Sequence, residues 1–307
     1  MKALITGGAG FIGSHLADRL LEEGMKVCII DNLSSGSENL VNSRAMLFVE
    51  DIGNYASLKE IFKKIKPELV FHLAAQIDVA ASFEKPEVDF NVNVLGTFNV
   101  LRAAAEAGAK KVIFSSSAAV YGEPLYLPVD ESHPLKPLAP YGVSKAAAEW
   151  YLRLLAEKAG LEVTILRLSN VYGPRQGLKK PSGIVSILIT SFLQGKRAVL
   201  YSPRTMTRDY IYVGDVVEAM VLAASKAGNE VLNISSCKET TTMEIYRLIC
   251  KEIQGSFVEE PYRSGEIKRI FLSNSRARKV LGWEPKTSLE EGIKQTVSFF
   301  KKWMGGL

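Results

Sequence analysis

Cysteine and histidine are scarce in this 307-residue chain, with three of each. Cys28, Cys237 and Cys250 are too few and too far apart for a disulfide framework or a thiolate cluster, so they read as ordinary thiols. His15, His72 and His133 show no HExxH or other ligand spacing, and no metal is expected. Long apolar runs are also missing. Hydrophobic residues make up 47% of the chain, yet no stretch nears the ~18 to 20 uninterrupted apolar residues of a membrane span. Residues 1–6 form an apolar strand pattern with no basic leader and no long apolar segment, which argues against a signal peptide and for a cytoplasmic protein. There is no block of five or more like charges, no repeat and no nucleic-acid motif, so nucleic acid is not an expected partner.

Charge is present but uneven. Residues 1–170 carry 17 Lys/Arg against 20 Asp/Glu, whereas residues 171–307 carry 21 against 13. The basic second part is either ordinary solvated surface or the lining of a site for an anionic ligand.

The length suits one α/β core with an appended lobe. Through residue 170, β-branched apolar runs alternate with helical patterns, the rhythm of repeated βαβ units around a parallel sheet buried on both faces. Strands are expected at 3–6, 26–31, 46–50, 69–73, 111–116 and 163–168, with helices near 12–23, 55–65, 86–107 and 141–159. Gly24, Gly108 and Gly160 stand where helices should stop. The fold class is therefore α/β, a doubly wound parallel sheet of Rossmann type. Beyond Arg167, Gly and Pro break the chain into shorter elements: strands near 198–201, 209–213 and 231–234, helices near 183–194, 215–226, 241–253 and 288–302. Residues 1–170 are read as the dinucleotide domain, with some later segments returning to it, and residues 171–307 as a smaller α/β substrate lobe. Asp215 is read as a helix N-cap.

Gly7-x-x-Gly10-Phe11-Ile12-Gly13 follows the first strand directly and opens a helix. Glycines there allow a tight turn and close approach to a pyrophosphate, whose charge suits a helix N-terminus. Asp31 closes the second strand 18 residues beyond Gly13, with Asn32 beside it. A carboxylate at that place accepts the ribose hydroxyls of NAD and repels the extra phosphate of NADP, so NAD is the expected cofactor. Asp51 and Ile52, after the third strand, are placed to meet the adenine.

Ser115, Ser116 and Ser117 end a strand at its carboxyl edge, where doubly wound sheets bind ligands. Tyr141 comes 24 residues after Ser117, and Lys145 stands one helical turn beyond it on the same face. A phenol is a weak base at neutral pH, and the Lys145 ammonium is expected to favour its phenolate. Ser117 beside the same substrate oxygen can donate a hydrogen bond, leaving Tyr141 to exchange a proton while NAD exchanges a hydride.

These residues in this order resemble the extended short-chain dehydrogenase/reductase family over essentially the whole chain. His72-Leu73-Ala74-Ala75, Asn93-Val-Leu-Gly96-Thr97, Val120-Tyr121-Gly122 and Arg208-Asp-Tyr-Ile-Tyr-Val213 match further motifs of that family. The resemblance implies NAD contacts from Leu73, Ala74, Ala75, Asn93, Ser115, Tyr141 and Lys145. It also implies a nucleotide-sugar lobe, and a homodimer built on the helices near 86–107 and 141–159.

Family dehydratases carry Thr-Asp-Glu where this chain has Ser117-Ala118-Ala119, and water elimination needs those two acids. What remains is reversible oxidation at C4 of a sugar, so the resemblance implies 4-epimerisation of UDP-galactose and UDP-glucose through a 4-keto sugar. It further implies substrate contacts from Ser117, Tyr141, Asn170, Arg208, Arg263 and Glu266. Ile77 replaces a family lysine near the pyrophosphate, which would loosen the cofactor. Ile270 replaces a tyrosine that walls the sugar pocket, which would admit an N-acetyl group at C2. Two alternatives stay open: another nucleotide-sugar epimerase or a UDP-glucuronate epimerase or decarboxylase, and an idle NAD-binding regulator or RNA-binding member of the fold.

Overall fold

The structure is a computed structural model that describes residues 1–262 and 267–305. Six strands lie where the apolar runs place them: β1 (Lys2–Thr6), β2 (Lys26–Asp31), β3 (Met46–Val49), β4 (Leu69–His72), β5 (Lys111–Ser117) and β6 (Glu162–Leu168). Together with the strand Val231–Ile234 they form one all-parallel sheet, in which that strand lies outside β6 and the order inward is β6, β5, β4, β1, β2, β3. The chain leaves the middle of the sheet in opposite directions from β1 and β4. Their carboxyl ends therefore open a cleft, the place where such sheets take ligands.

Helices cover both faces. Helix α1 (Phe11–Glu22) lies in one apolar core with Leu16, Leu20, Ile29, Val216 and Met220, and helix α2 (Tyr55–Ile65) in the other with Leu58, Phe62, Val100 and Leu152. Helix α6 (Pro140–Ala159) starts with Pro at its first position, where a missing N–H costs nothing, and stops on Gly160 in the left-handed region (φ 66°).

The expected helix over 86–107 is present without a break but is not wound uniformly. It is α4 (Pro86–Phe90), then a π-helical stretch at Asn91–Gly96, then α5 (Thr97–Glu106), preceded by the short α3 (Val79–Glu84). Gly96 permits the wide turn to pack, since a Cβ there would come 2.6 Å from Ile52 Cδ1. Asp215 is not an N-cap. Helix Val213–Lys226 begins on Tyr212, and the Asp215 carboxylate accepts the backbone amides of Lys286 and Thr287 at 3.0 and 3.1 Å. It ties a distant loop to the helix instead.

The strand at 231–234 and the helix Val213–Lys226 belong to the main sheet and its core. The smaller lobe has a core of its own, where Phe192, Ile245, Ile249, Ile293, Val297 and Phe300 meet beside three two-stranded ribbons.

Candidate active site

The loop from β1 into α1 is shaped by contacts that only glycine allows. Gly7 has φ +73° and lies against the backbone of β4's exit, where a Cβ would come 2.7 Å from the Ala74 nitrogen. At Gly13 a Cβ would come 2.2 Å from the Gly7 carbonyl oxygen. Helix α1 starts on Gly10 with no side-chain cap, so its first-turn amides suit an anion. Leu73 and Ala74 are held there by Thr6, whose carbonyl and hydroxyl accept their amides at 3.1 and 3.3 Å.

Asp31 is buried at the end of β2. One carboxylate oxygen accepts the Ala9 amide at 3.0 Å and the other the Leu33 amide at 2.8 Å, each keeping a lone pair for a further donor. Asn32 donates to Asp51 Oδ2 at 2.7 Å, which joins the ends of β2 and β3. Ile52 is buried in the core, and its carbonyl accepts Asn99 Nδ2 at 3.1 Å. A cradle that a Cβ would fill, an uncapped helix start and a fixed carboxylate beside it fit a dinucleotide with unsubstituted ribose hydroxyls.

A buried polar chain joins this loop to helix α6. Thr6 and Thr97 flank His72, with Oγ1 atoms 2.6 Å from Nδ1 and 2.9 Å from Nε2. Thr97 spends its only proton on the Asn93 carbonyl at 2.7 Å. His72 Nε2 must then be the donor to Thr97, and Nδ1 accepts from Thr6. Burial, helped by the Lys145 charge, pushes His72 down to about 3 and keeps it neutral. Asn93, within the π-helical stretch, accepts the Gln76 amide at 3.0 Å and donates to Asp89 and to Ser144 on α6.

The structure brings Ser117, Tyr141 and Lys145 together. Ser117 ends β5, accepts the Ala119 amide at 3.2 Å and donates to the Tyr141 hydroxyl. Lys145 Nζ donates to the Ser115 carbonyl at 2.9 Å and lies 4.8 Å from the centre of the Phe114 ring. The expectation about Tyr141 is corrected on one point. Its phenol is pushed up, not down: burial dominates, the Ser117 hydrogen bond opposes it, and the charge of buried Asp89 adds to the rise. Burial also lowers Lys145 to about 8, against the pull of Asp89 and Glu149. Asp89 and Glu149 stand outside every sequence motif, so only the packing reveals them.

Asn170 and Arg208 lie in adjoining ribbons of the smaller lobe, where Asn170 pairs in register with Tyr210. Arg208 Nη1 donates to the Thr207 carbonyl at 2.8 Å. Ile270 is buried against Ala118 and Ala146, the neighbours of Ser117 and Lys145. Its segment is held by Arg269, which forks onto Glu239 at 2.7 and 2.8 Å. Arg263 and Glu266 lie outside the described residues. Among the described residues no group of His, Cys, Asp or Glu could hold a metal ion, and no helix is long and apolar enough to cross a membrane.

A family model described as GDP-mannose 4,6 dehydratase matches residues 4–296. The UDP-glucose 4-epimerase of Mycolicibacterium smegmatis is 41% identical over 309 residues, covering 98% of this chain and 99% of that protein. The chain belongs to the extended short-chain dehydrogenase/reductase family. Two crystal structures of family members share its fold. UDP-glucose 4-epimerase from Thermotoga maritima, solved with UDP-glucose, is 40% identical with a TM-score of 0.95, covering 99% of this chain and 100% of that one. The Thermus thermophilus enzyme, solved with NAD, is 37% identical with a TM-score of 0.93, covering 98% and 99%. The family name on the matching model is that of a dehydratase, but Ala118 and Ala119 offer neither of the acids that elimination needs. The family uses NAD, and the chain falls among its nucleotide-sugar epimerases.

Proposed function

We propose that the chain interconverts UDP-galactose and UDP-glucose through a 4-keto sugar. One observation carries the reading: Ser117, Tyr141 and Lys145 converge at the cleft, and the positions after Ser117 are alanines. That set can oxidise and reduce an alcohol and has no second acid-base pair for elimination. Gly7, Gly10, Phe11, Ile12, Gly13 and Asp31 would hold NAD, with Leu73–Ala75, Asn93 and Asp51 around it, and NAD supplies the hydride acceptor. Tyr141 takes the proton of the C4 hydroxyl as that carbon is oxidised. The hydrogen bond donated by Ser117 favours its phenolate, and Lys145 is an ammonium below about 8. On the return step the raised pKa of Tyr141 suits a proton donor to the C4 oxygen. Asn170 and Arg208, with Arg263, would grip the UDP diphosphate through charge-assisted hydrogen bonds.

Purified protein given UDP-galactose and no added NAD is expected to form UDP-glucose, because each turnover would regenerate its own cofactor. Net NADH release or carbon dioxide would reject the reading in favour of a dehydrogenase or a decarboxylase. In the same assay the N-acetylated hexosamine is expected to turn over at a comparable rate, since Ile270 is smaller than a tyrosine. No turnover of that substrate would reject the assigned role of Ile270.

The partner proposed for the helical face is a second copy of the chain. Phe90, Leu95, Trp150, Tyr151 and Leu154 are all exposed, Trp150 by 58% and Leu154 by 66%. Phe98 on α5 meets Tyr151 on α6 edge to face at 6.3 Å, so the apolar side chains of both helices adjoin. A patch of this kind on a soluble surface marks an interface, and a two-fold dimer would pair it with itself. The protein is expected to run as a dimer in light scattering, and Trp150→Glu with Leu154→Glu as a monomer. A monomeric parent chain would reject the assignment.

A further inference from the structure

Behind Tyr141 and Lys145 lies a second, internal set of charged groups that the proton transfer does not use. Glu149, one helical turn beyond Lys145 on α6, is 3% exposed, and Arg167 on β6 is 5% exposed. Arg167 forks onto Glu149, with Nε 3.0 Å from Oε1 and Nη2 2.6 Å from Oε2. Its Nη1 donates to the Tyr121 hydroxyl at 3.0 Å, and Tyr121 donates to Asn233 Oδ1 at 2.6 Å. Tyr121 and Asn233 are fully buried, so the fork is anchored on the strand at 231–234. Glu149 Oε1 also accepts the Ser116 hydroxyl. Ser116 lies between Ser115, whose carbonyl holds Lys145, and Ser117, whose hydroxyl donates to Tyr141.

A buried ion pair is weak evidence for stability, because desolvating two charges offsets most of their attraction, and apolar side chains of the same volume often do as well. Apolar side chains could not accept the Ser116 hydroxyl or set a negative charge one turn from Lys145. We propose that Glu149 is a positioning residue for the Tyr141 and Lys145 site, with Arg167 as its anchor. Glu149 holds the tip of β5 against α6 through Ser116 and presents its carboxylate to Lys145. This inference rests on reading Tyr141 and Lys145 as the reacting pair. The ionisable groups around Lys145 are Asp89 from α4, His72 from β4, and Tyr141 and Glu149 on its own helix. His72 stays neutral, so Asp89 and Glu149 are the charges that favour the ammonium.

The test uses the full-length protein and two readouts against pH: NAD affinity by calorimetry, with no sugar present, and kcat with UDP-galactose. Glu149→Gln alone leaves Arg167 buried without a counter-ion and is expected to unfold part of the protein. Glu149→Gln with Arg167→Met removes both charges and keeps the volume. In that double variant the alkaline limb of NAD affinity and of kcat is expected to move down by about one pH unit, with KM changed less than about twofold. A folded double variant whose limbs and kcat match the parent overturns the proposal. Ser116→Ala removes only the hydroxyl tie, and is expected to lower kcat about fivefold with the NAD limb unmoved; unchanged kcat there also overturns it. The NAD limb reads Lys145 without sugar. A shift there in a protein that turns over no UDP-sugar leaves the positioning role standing and rejects the reaction, whereas normal turnover with an unmoved limb does the reverse.

Discussion

Tyr141→Phe is expected to lower turnover of UDP-galactose by about a thousandfold, the range lost when a positioned proton-transfer group is removed. The change takes away one oxygen and leaves the ring, which is buried at the start of α6. The Ser117 hydroxyl would lose its acceptor but keep its bond from the Ala119 amide, so the tip of β5 should not move. The glycine loop and Asp31 are untouched, and NAD should copurify as in the parent. Measured together, kcat and bound NAD separate a lost proton from a lost cofactor. A rate within tenfold of the parent would refute the proton role, and loss of NAD would show that the hydroxyl mainly holds the cofactor.

Most of the sheet was legible because parallel strands buried on both faces read as plain apolar runs, as in Ala3–Ile5 and Val112–Phe114, each bounded by a turn residue. The helices were legible from their stops, such as Gly160. Two kinds of feature were not. The π-helical stretch at Asn91–Gly96 spans only six residues, too few for their apolar spacing to distinguish a wide turn from an α-helical one. Asp215 read as a cap because acids favour helix starts, but here the backbone of a segment some seventy residues away competes for the same carboxylate. At the site, Ser117, Tyr141, Lys145 and the glycines were legible because their chemistry demands fixed spacings. Asp89, Glu149, Asn99 and Arg167 act through packing between distant segments, and a spacing rule cannot see that. The direction of the Tyr141 shift was misread for a related reason: spacing reveals the neighbouring ammonium but not the depth of burial, and here burial is the larger effect.

Among the glycines of the loop from β1 into α1, Gly13 leaves the least room for a methyl group, so Gly13→Ala should be the most damaging small substitution there. A methyl group there would sit 2.2 Å from the Gly7 carbonyl oxygen, 2.7 Å from the Gly8 Cα and 2.9 Å from the Gly7 carbonyl carbon, all backbone atoms that no rotamer change can move. Relief requires α1 to back away from the β1 exit, and α1 cannot do so freely. Leu16, Ala17 and Leu20 bury it against the sheet, and Arg175 holds Asp18 from the other side at 2.8 Å. The strain should be shared between a looser core and a distorted loop. The expected result is a loss of about 1 to 3 kcal/mol in unfolding free energy, the cost of overpacking, and a drop of at least about a hundredfold in NAD affinity, equivalent to about 2.7 kcal/mol of misplaced amides. Gly228→Ala is the control, because a Cβ at that position meets nothing within 4 Å and its φ lies outside the left-handed range. It should leave both thermal unfolding and NAD affinity unchanged. Calorimetry of NAD binding on the two variants decides the matter: equal affinities would mean that the loop does not hold the dinucleotide, and the cofactor site would have to be sought elsewhere along the sheet edge.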